Sequence, residues 1–433
     1  MRSSRTFVTS LIILVLIIAA VSVPVVSARH AQAQDQITLR FANWVSAEEA
    51  SRARVQEVID AFQAENPGVT IENIPIPFDQ VRPQLITMSA GGNPPDIMLL
   101  NGAWPYELGG MGALLDLNTV ASAEYLADNW EGGLQAGTYE GKLYAVPQGM
   151  TPHGLWWNKK LFEQAGLDPT QPPKTMDELN AVLKTLKEKL PSDVYAIGVD
   201  TTKIDYALTG FWPWILTTGA RPMYNGDYDF TKPEVKQAFD WLQMVAKEGY
   251  TPLGQQIKEE RELMAKDKIV MKLDGPYVVA ILRSLNPALE GQAFFDTFAV
   301  ATVPVGAGGV PVTLADLHQI GISSQCKHPD IAWKFIEFFS GSDIAVKEYI
   351  TYMGMIPPLK SAATKYADLL SDPVSQAYLN EILPSMIGGP YDPQYGAASQ
   401  FVIQAMQEVA VAGAPVDASL QSLTQNLKIL YRQ

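Results

Sequence analysis

Residues 36–100 leave few folds open. Ile37, Leu39 and Phe41 alternate with polar residues, the period of a strand with one covered face. A helical pattern follows, with Val55, Val58, Ile59 and Phe62 on one stripe, until Asn66-Pro67-Gly68 stops it. Ser46 with Glu49 three residues on reads as the capping box that opens this helix. A second strand over 69–74 and a second helix through Leu85 and Met88 lead to Gly91-Gly92-Asn93-Pro94-Pro95. The third strand, Ile97-Met98-Leu99-Leu100, is apolar throughout, as a strand covered on both faces must be. Strand, helix, strand, helix, strand is a doubly wound α/β unit, and open parallel sheets bind ligands beyond the carboxyl ends of their strands. Those ends here are Trp44, residues 78–80, and residues 101–104 with Asn101 and Trp104.

With 433 residues the chain is too long for one core and predicts at least two domains. The formal charge of -14 repels nucleic acid and anionic lipid, so neither is an expected partner. Arg2 and Arg5, an apolar run over 7–26, and small-residue sites near Ala28 and Ala33 form the layout of a secretory signal peptide, assigned to residues 1–33. The run is long enough that retention as a membrane anchor stays open. Cys326 is the only cysteine, which excludes intramolecular disulfides and multi-cysteine metal sites and reads as a small buried hydrophobe.

Farther on, Tyr144-Ala145-Val146-Pro147 and Leu155-Trp156-Trp157-Asn158 read as strands, and Thr175 with Glu178 as the capping box of a helix ending at Pro191. Residues 201–210 read as a polar loop opening on Phe211-Trp212-Pro213-Trp214. The strand Ile269-Val270-Met271-Lys272-Leu273 runs into Asp274-Gly275-Pro276-Tyr277, where Gly275 permits close backbone approach and Pro276 suits a helix start. The glycine-rich segment 306–309 has neither the helix nor the lysine of a phosphate loop, and reads as a mobile connector. Residues 314–322 read as a strand region and Pro329 as the first residue of a helix bearing Trp333.

The strings at 144–179, Gly275-Pro276-Tyr277 and 329–339 resemble, in order and spacing, the extracellular solute-binding proteins of bacterial ABC importers, the sugar-type family that includes maltose-binding protein. The resemblance implies a type II periplasmic-binding-protein fold, two doubly wound α/β lobes joined by a hinge of several crossings. The first lobe would hold 36–148 and 305–350, the second 149–304 and 351–433. It implies a non-enzymatic, cofactor-free, monomeric receptor that delivers a carbohydrate or polyol to membrane permease subunits. Where sugar-binding members carry Gly-Pro-Trp, this chain has Tyr277 in place of Trp.

Candidate ligand contacts are the rings at strand ends and crossings, Trp44, Trp104, Trp212, Trp214 and Tyr277, with Tyr391 and Tyr395 from the late segment that resembles the family's C-terminal aromatic. The same rings could instead simply cover the sheets. Trp156 and Trp157, adjacent in a strand, must point to opposite faces. Polar partners for hydroxyl groups would be Asn101, Asp205, Tyr206, Asp274, Gly275, Asp316 and His318. Arg52, Arg82 and Arg221 lie far apart in sequence, which favours a neutral solute over an anion. His153, His318 and His328 show no metal-ligand spacing. Two rivals stay open, a secreted carbohydrate-active enzyme with a carboxylate pair and a metal receptor on the same fold.

Overall fold

The computed structural model of the protein describes residues 36–432. The leader predicted at 1–33 lies outside them. In chain order the principal elements are β1 (Ile37–Asn43), α1 (Arg52–Glu65), β2 (Val69–Pro75), α2 (Phe78–Ala90), β3 (Ile97–Asn101), α3 (Trp104–Gly110), β4 (Val146–Gly149) and β5 (Gly154–Asn158). Next come α4 (Met176–Lys189), β6 (Tyr195–Gly198), α5 (Asp205–Leu216), α6 (Pro233–Lys247), α7 (Ile257–Ala265), β7 (Ile269–Asp274), α8 (Val278–Leu285) and β8 (Phe298–Ala301). The chain ends with β9 (His318–Ile322), α9 (Pro329–Gly341), α10 (Tyr395–Ala410) and α11 (Val416–Leu430).

The named strands form two separate sheets, and each organises one lobe. The first has the order β2-β1-β3-β9-β4, with β1 parallel to β2 and β3 and with β9 antiparallel to both of its neighbours. The second has the order β8-β5-β7-β6, with β6 and β7 parallel and β5 antiparallel to β7 and β8. β3, β5, β7 and β9 are buried along their whole length, which explains the near-continuous apolar sequence of the first three, while β9 also buries His318 and Gln319. In the first lobe Phe41 of β1 meets Phe335 and Phe339 of α9 edge to face, and Phe62 of α1 closes the same cluster. In the second lobe the strand period sends Trp157 into the core around α4, α5 and α6, and Trp156 into the core around α8 and Tyr378.

The predicted capping box of α4 is present, Thr175 and Glu178 each accepting from the other's backbone N–H. The one predicted for α1 is absent. Residues 44–51 make turns first, Ser51 hydroxyl donates to the Val45 carbonyl, and the helix begins only at Arg52. Residues 205–210, read as loop, are the first half of α5, a helix that carries Pro213 in its interior. The segment 306–309 is tied to the end of α5, because Gly306 N–H donates to Thr217 Oγ1 and Gly308 N–H to the Thr217 carbonyl. A Cβ on Gly306 would sit 2.7 Å from the Thr217 carbonyl oxygen, so glycine there serves close approach.

Three chain segments pass between the lobes. Residues 150–153 join β4 to β5, residues 302–317 join β8 to β9, and a third segment follows the Ala345–Ile350 turn, which packs in the first-lobe core. The first and third are paired through backbone bonds between Met150 and Ile356. The first and second are paired through Thr151 hydroxyl donating to the Asp316 carbonyl at 2.8 Å and Thr313 hydroxyl to the His153 carbonyl at 2.7 Å. Among the described residues no helix is long and apolar enough to cross a membrane.

Candidate functional site between the lobes

Strand direction decides what meets at the crevice. β1, β3 and β7 end at Asn43, Asn101 and Asp274, so the residues that follow them, Trp44, Gly102 to Trp104, and Gly275 to Tyr277, lie at the sheet edges. β5 and β9 run antiparallel and start at that edge, with Gly154 opposite Asp274 and His318 opposite Asn101. The crossings therefore deliver His153, Asp316 and His318 to the same place.

Rings from both lobes pack there. Trp44 meets Phe78, Trp104 and His318 edge to face, and Phe78 in turn meets Tyr206 of α5 with centroids 5.5 Å apart. Tyr277 stacks on His318 at 5.4 Å and 13°, a contact between the two lobes. Tyr391 meets Tyr106 at 5.6 Å and Tyr395 at 4.8 Å. A cavity of about 50 Å³ remains, lined by Phe78, Arg82, Trp104, Glu107, Tyr206 and Tyr391 among others. Small-molecule pockets occupy about 300 to 1,000 Å³, so entry of a sugar-sized solute requires the lobes to part. A wider groove of about 560 Å³ runs along α10 near Lys203, but it carries no aromatic ring.

The polar groups form two networks. In the first, Arg82 of α2 makes a bidentate bond to Glu107 of α3 at 2.7 Å through both nitrogens, and its third nitrogen reaches Asp205 of α5, in the other lobe, at 2.9 Å. Gln400 of α10 holds the second Asp205 oxygen at 2.6 Å. Burial would lower the Arg82 pKa, and the Glu107 and Asp205 carboxylates together more than offset it. In the second network, Arg261 of α7 clamps Asp274 with two bonds of 2.9 and 2.7 Å and lies over the Tyr277 ring at 5.0 Å. Burial would raise the Asp274 carboxyl, yet the guanidinium beside it holds it below its usual range. Tyr277 and Tyr206 share a very short hydroxyl contact, and Tyr206 Oη is 2.9 Å from His153 Nε2. Burial raises both phenols well above their ordinary pKa and pulls His318 down to about 4, with the Asp316 carboxylate opposing the latter.

Of the candidates read from sequence, Asn101, Trp104, Asp205, Tyr206 and Tyr391 line the cavity. Trp44, Asp274, Gly275, Tyr277, Asp316 and His318 form the buried layer behind it. Gly275 is placed by Tyr277, whose ring would lie 2.5 Å from a Cβ there. Trp212 and Trp214 require correction. They lie on a helix, not at a strand end, and both point into the second-lobe core, Trp214 against Trp241 with centroids 4.5 Å apart. Trp212 is fully buried and donates its indole N–H to Tyr395 Oη at 2.7 Å, so it supports a cavity-lining ring from behind. Arg82 needs correction too. It is in the crevice, but its donors are taken by two carboxylates, so it offers no free cation to an anion.

Phe78, at a strand end, and Tyr395, beside Tyr391, were within reach of the sequence and line the cavity, whereas Arg82, Glu107, Thr209 and Arg261 were missed. One had a legible signal, because Pro213 lacks the N–H that the Thr209 carbonyl four residues earlier would accept from. Thr209 lines the cavity. Among the described residues no group of three or more His, Cys, Asp or Glu is placed to hold a metal ion.

Comparison with known proteins fits this geometry. The family model described as bacterial extracellular solute-binding protein matches residues 57–378, about three quarters of the chain. The chain belongs to that family. This solute-binding protein is 24% identical over 375 residues to a putative binding protein of Brucella abortus, covering 84% of this chain and 87% of the relative. It is 22% identical over 340 residues to the multiple sugar-binding protein of Streptococcus mutans, covering 73% and 74%. Among solved structures, an ABC transporter solute-binding protein of Thermotoga lettingae bound with α-D-tagatose superposes with a TM-score of 0.80 at 24% identity, over 90% of this chain and 98% of that one. The two-lobed fold with several crossings is therefore the fold of this solute-binding protein.

Proposed function

We propose that the protein captures a carbohydrate or polyol between its lobes and delivers it, lobes closed, to the permease subunits of an ABC importer. The observation that carries this reading is the crevice itself, where rings from both lobes and hydroxyl-orienting groups such as Asn101, Tyr206 and Asp205 converge on one cavity. Flat rings cover the C–H faces of a sugar, while carboxylates and amides accept and orient its hydroxyl groups. The sugar-binding names of relatives such as the Streptococcus mutans protein support the same class. Residues 36–148 and 305–350 are proposed as the first lobe, 149–304 and 351–433 as the second. The protein acts outside the cytoplasmic membrane as a monomer and performs no reaction on its ligand.

A thermal-shift screen against mono- and disaccharides tests the reading, since a ligand that binds only the folded state raises its melting temperature. Saturable stabilisation by at least one sugar, with the sugar recovered unaltered, is expected. No stabilisation by any sugar or polyol, or turnover of an oligosaccharide, overturns it.

A further inference from the structure

The carboxylates around the crevice are unequally provided for. Glu107 and Asp205 share the Arg82 guanidinium, and Asp274 holds that of Arg261. Asp316 is fully buried, and neither of its oxygens has a hydrogen-bond partner. The nearest titratable nitrogen, His153 Nε2, stands 3.4 Å from Oδ2 but only 2.9 Å from Tyr206 Oη. Tyr206 is therefore the closer partner of that nitrogen, and the Asp316 contact is the longer one. The other oxygen, Oδ1, faces Gly102, 3.7 Å from where a Cβ would begin, on the same side as Tyr391 Oη at 3.6 Å. Gly102 and Tyr391 both line the cavity. Asp316 thus points toward the crevice from behind a residue that has no side chain to block it.

A buried carboxylate without a cation is costly, and the cost is removed by a partner that both neutralises it and donates hydrogen bonds. Hydroxyl groups do only the second. Anions are disfavoured, because both guanidinium groups of the crevice are already engaged.

We propose that the solute is a carbohydrate carrying a basic nitrogen, whose ammonium group pairs with Asp316. The inference rests on the carbohydrate reading above and goes beyond the neutral solute expected from sequence. It is tested by isothermal titration of the purified protein with matched probes: D-glucosamine against D-glucose and N-acetyl-D-glucosamine, and the β-1,4 glucosamine dimer against cellobiose. At least one free-amine sugar should bind about tenfold or more tighter than its hydroxyl and amide counterparts, and Asp316→Asn should reduce that preference to within about twofold. Equal or tighter binding of the uncharged sugars overturns the inference and leaves the carbohydrate reading intact, as does an amine preference that survives Asp316→Asn. Binding of none of these probes or of any sugar in the thermal screen overturns both. Should the variant fail to fold, the comparison among wild-type probes decides alone.

Discussion

The Arg82 network makes a quantitative claim about closure. Its bond to Glu107 lies within the first lobe, whereas its bond to Asp205 exists only when the lobes meet. Asp205→Asn removes the charge while keeping the shape and an oxygen for Gln400. The side chains of Arg82 and Asp205 remain 22% and 37% exposed, so the pair sits nearer the surface regime than the core. A pair of that kind contributes about 0.5 to 1 kcal/mol, which is a two- to fivefold shift in the open–closed equilibrium and the same factor in apparent affinity. Removing Arg82 should do more, because Glu107 and Asp205 would then face each other without a counter-charge. The assay is titration with a sugar taken from the thermal screen, at low salt and near 1 M salt, alongside urea unfolding. The Asp205→Asn loss should shrink toward zero at high salt, where the screening length falls to about 3 Å. Unchanged affinity at low salt combined with reduced resistance to urea would refute the reasoning, since the bridge would then hold the fold and not the closed state.

Other outcomes follow from the same contacts. Trp212→Ala empties a fully buried site and strips Tyr395 of its partner; urea unfolding should show a loss of about 3 to 5 kcal/mol, and a loss of affinity with no loss of stability would mark the ring as a ligand contact instead. His318 sits at about 4 in the folded protein against an ordinary value near 6.5. Above pH 6.5 it is neutral in both states and contributes nothing. As pH falls from 6.5 toward 4 only the unfolded chain takes the proton, so stability should drop by up to about 3 kcal/mol, a slope that His318→Gln should flatten in denaturation curves at pH 7, 5.5 and 4.5. Glu260 and Lys272 form a buried pair in the second lobe. Glu260→Ala should cost about 3 to 5 kcal/mol by leaving the ammonium alone, while the double change Glu260→Leu with Lys272→Met should recover most of it.

Local signals carried the first-lobe layout, because a strand of alternating or fully apolar residues and an amphipathic helix each announce themselves within a dozen positions. The capping box at Thr175 and the placement of Gly275 before Tyr277 were legible for the same reason. Two local signals misled. Ser46 and Glu49 have capping-box spacing, but Ser51 and Val45 bond each other and delay the helix. Residues 201–210 read as a polar loop, yet burial of Phe211, Trp212, Trp214 and Ile215 in the second-lobe core outweighs the poor helix propensity of Thr209, Gly210 and Pro213. The site was harder to see because its bonds are long in sequence. Arg82 is 123 positions from Asp205 and His153 is 124 from Tyr277, so nothing in either neighbourhood encodes the other. Arg82 read as one of several scattered cations because nothing near it in sequence shows that Glu107 and Asp205 take up its donors.

Hinge and site are one structure. The groups that face the crevice from behind, His153, Asp316 and His318, lie on the chains that cross between lobes, and those chains bond one another through Thr151 and Thr313. His318 N–H donates to the same Thr151 hydroxyl that donates to the Asp316 carbonyl, so the backbone beside Asp316 moves with both crossings. Tyr277 and Tyr206 in the second lobe are joined to His153 at the base, while the Tyr277 ring rests on His318 of the first-lobe sheet. A solute that engages Asp316 therefore acts at the pivot, and one that engages Trp104 and Tyr206 acts at the walls. Binding energy at the pivot shifts the crossings directly, whereas energy at the walls favours closure only once both lobes touch the solute. A solute long enough to reach both should close the lobes more completely than one that fills either place alone.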